Sequence, residues 1–155
     1  METIRERLIG TWRLVSYQVR SADGSVVYPM GKEVVGTIMY LADGYMSAML
    51  MVPGRAPLSG GSAASATFEE LVAAVTGFFA YVGRFEVDEA AKVVTHHIEI
   101  ALAPQLVGTV QRRHVLFGGR RLRLRGDPAP IAGQQAVPVI TWERATPDDD
   151  SPTEA

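Results

Sequence analysis

Residues 93–125 read Val93-Val94-Thr95-His96-His97-Ile98-Glu99-Ile100-Ala101, then "LAPQLVGTVQRRHVLFGG", then "RRLRLR", and their reading decides the fold. Arg121-Leu122-Arg123-Leu124-Arg125 alternates strictly, which marks a half-buried strand with Leu122 and Leu124 inward. Gly118-Gly119 is a favoured two-residue hairpin turn. It would pair Val115 with Leu122 and Arg113 with Leu124. A symmetric connection at 103–108 would pair Ile98 with Arg113, Ile100 with Gln111 and His96 with Val115. On the other face His97 would meet His114, and Glu99 would meet Arg112. A loop at 88–91 would pair Phe85 with Val94, Gly83 with His96 and Tyr81 with Ile98. These hairpins agree on one inward set: Tyr81, Gly83, Phe85, Val94, His96, Ile98, Ile100, Gln111, Arg113, Val115, Leu122 and Leu124.

Adjacent strand residues face opposite ways, so His96 and His97 cannot serve one ligand. Zinc needs three or four converging donors, and only Glu99 stands near an outer histidine pair, so no metal is expected. The outer residues read as a solvated surface with a cross-strand ion pair. His96 faces inward opposite Gly83, with Arg113 one pair along. A buried arginine needs a partner, and no inward carboxylate is evident on these strands. Either these groups sit in a hydrogen-bonded interior, or they anchor a ligand. Polar groups converging on an apolar cavity are the usual form of a small-molecule site.

Other runs extend the pattern outward. Further strands are expected at 11–20, 25–28, 36–41, 45–51, 80–87 and 137–144, so the chain reads as all-β, a barrel or sandwich. A tight turn at Asp43-Gly44 would place Tyr40 opposite Ser47 and Ile38 opposite Met49, with Met39 and Met46 on the other face. Thr67-Phe68-Glu69-Glu70 has capping-box spacing and opens one helix over about 67–79. The Gly-, Ser- and Ala-rich stretch 53–66 precedes it, and together they can form a lid. In the first strand Val15, Tyr17 and Val19 alternate with the inward set, so they would face outward and mark a homodimer contact. Residues 1–145 form one domain, and the acidic tail 146–155 reads as disordered.

Bulk properties narrow the class. The chain has 155 residues, 47% hydrophobic and 21% charged, a soluble globular composition. A net charge of -2 supports neither nucleic acid nor an anionic membrane as partner. There is no cysteine, so disulfides and thiolate metal sites are excluded. No apolar run at the start resembles a signal or a span, and a cytoplasmic location is expected.

Gly10-Thr11-Trp12 matches the Gly-x-Trp signature of lipocalins. "LIGTWRLVSYQVR" (8–20), "GTIMYLADGYMSAMLM" (36–51), "YVGRFEVD" (81–88), "VVTHHIEIALAPQLVGTVQRRHVL" (93–116) and "ITWER" (140–144) together resemble the bacterial lipocalin-like domain family of the calycin superfamily. The resemblance implies an antiparallel β-barrel of about eight to ten strands around an enclosed cavity. It implies that Trp12 closes the floor and that Arg144 packs over it, both in structural roles.

Two functions follow. The barrel binds a small, mostly apolar molecule, its polar or acidic end anchored by Arg113 and His96. Tyr40, Ser47, Met49, Tyr81, Phe85, Ile98 and Gln111 would complete the wall. Alternatively, it is a cyclase or isomerase of a small hydrophobic intermediate, with His96 as acid/base and Arg113 or Tyr40 stabilising negative charge. Binding is favoured, because no nucleophile–base pair or nucleotide motif is readable: Ser16 and Ser47 lack motif context. No cofactor is expected.

Overall fold

In the computed structural model, which describes residues 1–131 and 133–146, the strands pair in sequence and the last returns to the first. The elements are α1 (Ile4–Leu8), β1 (Gly10–Ser21), β2 (Val26–Val27), β3 (Val35–Tyr40), β4 (Tyr45–Met51), α2 (Phe68–Thr76), β5 (Phe78–Asp88), β6 (Val93–Ala101), β7 (Val110–Gly118), β8 (Arg121–Arg125), β9 (Ala129–Ile131) and β10 (Gln134–Arg144). β1, β3, β4, β5, β6, β7, β8 and β10 form a closed antiparallel barrel, sealed by β10 against β1. β2 flanks β1 and β9 flanks β10. Closure leaves no bare edge between the first and last strands of the wall. Residues 147–155, most of the acidic tail, lie outside the described residues. Among those described, no helix is long and apolar enough to cross a membrane.

Register differs from the expectation in informative ways. The turn between β7 and β8 is Gly119-Arg120, with Gly119 at φ 59°, so Val115 pairs with Leu124 and Phe117 with Leu122. That slip is two residues, so every face is kept. β6 and β7 are offset by four: His96 pairs with Gln111 and Val94 with Arg113. A 3₁₀ turn at Pro104–Leu106 lengthens their connection, so β7 begins only at Val110. Faces again survive, but the outer partners change. His97 pairs with Glu86 at 3.3 Å and His114 with Asp127 at 2.8 Å. Arg84 takes Glu99, and Arg112 takes Asp127. The expected His97–His114 and Glu99–Arg112 contacts are therefore not formed.

Three single-residue features invert faces. Between β5 and β6, Gly83 pairs with Ile98 but Val82 pairs with Ile100, so Glu99 is an extra residue. This bulge turns Ile100 outward, 67% exposed, instead of into the wall. A Cβ on Gly83 would stand 1.8 Å from the His97 carbonyl oxygen, so this glycine admits the bulged strand rather than making room for the His96 ring. Between β3 and β4 the loop is Ala42-Asp43-Gly44, with Leu41 facing Tyr45 and Gly44 at φ 94°. One loop residue more than expected pairs Tyr40 with Met46 and Ile38 with Ala48. Met46, Ala48 and Leu50 therefore point inward, and Ser47 and Met49 point outward. In β1, register shifts between Leu14 and Ser16, leaving Val15 as the bulge. Trp12 and Leu14 face in before it, Tyr17 and Val19 after it. The expected outward apolar row in this strand does not exist, and with it goes the basis for a dimer contact there.

The floor is built as the Gly-x-Trp motif implies. Trp12 is buried, and its Nε1–H donates to the Leu8 carbonyl at 2.9 Å. The Arg144 guanidinium lies 3.9 Å above the Trp12 ring and donates to the Arg7 and Ile9 carbonyls of the α1 end. Gly10 is needed twice over: its φ is 124°, and a Cβ would meet the Arg144 Nη1 at 2.5 Å. α1 was not anticipated, although Thr3 and Glu6 form a capping box readable from their spacing. α2 has its capping box on Thr67 and Glu70 but ends at Thr76, because Phe78 already belongs to β5.

Candidate functional site

Three strands bring one polar group into an otherwise apolar interior. β6 supplies His96, β3 supplies Tyr40 and β5 supplies Tyr81. His96 is 1% exposed, and both ring nitrogens are occupied. Tyr40 Oη lies 2.8 Å from Nε2, and Tyr81 Oη lies 2.8 Å from Nδ1. Phe85 packs edge-on against the Tyr40 ring, which fixes that side chain further.

Burial dominates the electrostatics. Loss of water, then the Arg113 cation, then His97, push the His96 pKa down to about 3. The imidazole is therefore neutral around neutral pH. Burial raises Tyr81 to about 12, against a smaller opposing pull from Arg113. It raises Tyr40 well above the ordinary phenol value as well. All three groups are uncharged hydrogen-bonding partners.

Arg113 completes the polar wall. Its Nη1 donates to the Arg112 carbonyl at 2.8 Å and its Nη2 to the Gln111 side-chain oxygen at 2.9 Å. Neither acceptor is a carboxylate. Its charge reaches Tyr17, Tyr40 and Tyr81, where it opposes the larger upward effect of burial, and adds to the downward shift of His96 and of the Asp127 carboxylate.

Beside these groups lies a cavity of about 280 Å³. An apolar cavity of roughly 150 Å³ suffices for benzene, so this one suits an aromatic ring with short substituents. Its wall carries Ile38, Leu50, Phe79, Leu124 and Ile140, with Tyr17, Tyr81, His96 and Arg113 as the main polar contributors. Thr76, at the end of α2, and Phe78 lie on the same wall, so the helix abuts the cavity.

Of the residues expected to bind, Tyr81, His96 and Arg113 line the cavity, and Tyr40 touches it only through His96. Phe85 and Ile98 are core residues beside it. Gln111 supports Arg113. Ser47 and Met49 are on the outer face and do not line it. Tyr17 and Trp142 were missed. The Val15 bulge hid Tyr17. Trp142 was within reach, since it pairs with the inward Leu122. Among the described residues no cluster of three His, Cys, Asp or Glu side chains forms.

Residues 9–145 match the family model described as a lipocalin-like domain. A relative in Aspergillus oryzae, the 4'-hydroxy-3'-methoxypropiophenone carrier protein, is 35% identical over 106 residues, which span 64% of this chain and 96% of that protein. A solved lipocalin-like protein from Bacteroides uniformis is 14% identical, with a TM-score of 0.41 over 89% of this chain and 98% of that one. The chain belongs to the lipocalin-like domain family.

Proposed function

We propose that the protein is a binding module that holds a small, mostly apolar molecule in the barrel cavity, its polar or acidic end against Arg113 and the His96–Tyr81 pair. The observation that carries this reading is a guanidinium on the wall of a mostly apolar cavity, hydrogen-bonded to a carbonyl and an amide oxygen and, among the described residues, in no direct ion pair, although the Asp127 carboxylate feels its charge. Such a cation favours carboxylate, phenolate or polarised carbonyl groups through charge-assisted hydrogen bonds. The A. oryzae relative is named as a carrier of an aryl ketone bearing a phenol, a ligand of matching size and chemistry. Acid/base catalysis fits less well. A base with a pKa of about 3 and both nitrogens engaged has little capacity to take a proton near neutral pH.

The test is calorimetric titration of aryl carboxylates and their size-matched neutral esters into wild type and Arg113→Met. The carboxylates should weaken by about 10- to 100-fold, the worth of one charge-assisted hydrogen bond, while the esters change little. Equal losses for both sets would remove Arg113 as an anchor, and no binding by either would refute the carrier reading.

A further inference from the structure

The Tyr40–His96–Tyr81 chain of hydrogen bonds has a direction, and burial sets it. A neutral imidazole carries its proton on one nitrogen only, and each phenol has one proton to donate. Tyr40 is fully enclosed, is absent from the cavity wall, and bonds through its hydroxyl only to His96 Nε2 among the described residues. If Nε2 carried the proton, it would donate to Tyr40, and the Tyr40 hydroxyl would be left with nothing to donate to. Such a buried orphan costs about 1–3 kcal/mol. With the proton on Nδ1, Tyr40 donates to Nε2 and Nδ1–H donates to Tyr81. The Tyr81 proton is then released from the chain. Tyr81 lines the cavity, so its proton can be taken by whatever occupies that space.

We infer that Tyr40, acting through His96, makes Tyr81 a hydrogen-bond donor to the cavity, and that the site selects a compact apolar ligand whose polar head is a hydrogen-bond acceptor, a carbonyl or carboxylate. The rest of the polar wall agrees. Arg113 has only donors to offer. Trp142 also lines the cavity, but its Nε1–H is enclosed away from that space, so Tyr81 and Arg113 are the donors that face it. Tyr40 is thus a positioning residue for a ligand it never touches. This inference deepens the carrier reading and rests on it.

The proton's position can be read without any ligand. In full-length protein labelled with ¹⁵N-histidine, a two-bond ¹H–¹⁵N spectrum at neutral pH should show His96 protonated on Nδ1 and bare on Nε2. A proton on Nε2 overturns the inference and leaves the carrier reading standing. In Tyr40→Phe the bare nitrogen loses its donor, so the Nε2–H form should grow; an unchanged tautomer denies Tyr40 its positioning role. Binding supplies the second arm, with acetophenone and ethylbenzene as size-matched probes with and without an acceptor. Wild type should prefer acetophenone by about tenfold, the size of one neutral hydrogen bond, and Tyr81→Phe should erase that preference, the two probes then binding alike. Equal binding of both probes to wild type refutes the donor wall but supports the cavity. Binding of neither refutes both.

Discussion

His96 places a titration inside the fold. Its imidazole is held neutral down to about pH 3, whereas in the unfolded chain it protonates near 6.5. Between those values the unfolded state binds a proton that the native state refuses. The contribution is therefore fully present above about pH 6.5 and is lost as pH falls toward 3. The slope is about 1.4 kcal/mol per pH unit for one such group. Denaturant titrations across this window should show wild type weakening with acid, and His96→Gln should follow a shallower curve; parallel curves would mean that His96 is charged in the native state. Gly83 makes a second prediction at this scale. An alanine methyl would strike the His97 carbonyl, which is backbone and cannot swing away. Gly83→Ala should cost at least the about 1–3 kcal/mol typical of overpacking, seen as a lower unfolding midpoint.

At the scale of elements, single extra residues determine which side chains meet. The bulges at Val15 and Glu99 and the third loop residue at 42–44 each invert one strand segment relative to strict alternation. Where slips were even, as in β6 through β8, the inward set was legible from sequence. His96, Arg113, Val115, Leu122 and Leu124 were placed correctly because their partners were wrong by two or four residues, never by one. Where a slip was odd, Ser47, Met49, Tyr17 and Ile100 changed sides. α2 behaves differently from the strands. It buries no side chain, and Phe68 at its start is 80% exposed, so its stability is largely local. Thr67→Ala removes the cap accepted from Glu70 N and should cost the helix about 0.5–2 kcal/mol. Hydrogen exchange should quicken across Phe68–Thr76 while the barrel amides stay protected; uniform quickening would show that helix and barrel unfold together.

Over the whole molecule, the first and last strands hold the structure shut. β10 runs along β1 from Ser21 to Trp12, and Arg144 ties the end of β10 to the α1 carbonyls across the Trp12 ring. The floor therefore couples residues at opposite ends of the chain, and closing it requires long-range pairing to be complete. Trp12→Ala empties this junction and should cost about 3–5 kcal/mol. Chemical denaturation with tryptophan fluorescence from the remaining Trp142 would measure it, and a loss below 1 kcal/mol, roughly that of a surface change, would deny Trp12 its role as the floor.

Period, turn residues and local spacing in the sequence determined the all-β class, the hairpins of neighbouring strands and the capping of α2, while the closed barrel and its Trp12–Arg144 floor were legible only through the resemblance to the lipocalin-like family. The sequence also separated His96 from His97, since neighbours on a strand must oppose each other. The tertiary structure decided which face each shifted segment presents, since a bulge arises from how one strand accommodates another and has no period of its own. It alone placed Tyr40, 56 positions from His96 in sequence, within hydrogen-bond reach of that ring. It set Arg113 on the cavity wall with its hydrogen bonds going to a carbonyl and an amide oxygen, and, among the described residues, in no direct ion pair. These are facts about distance between strands, and they exist only once the barrel has closed.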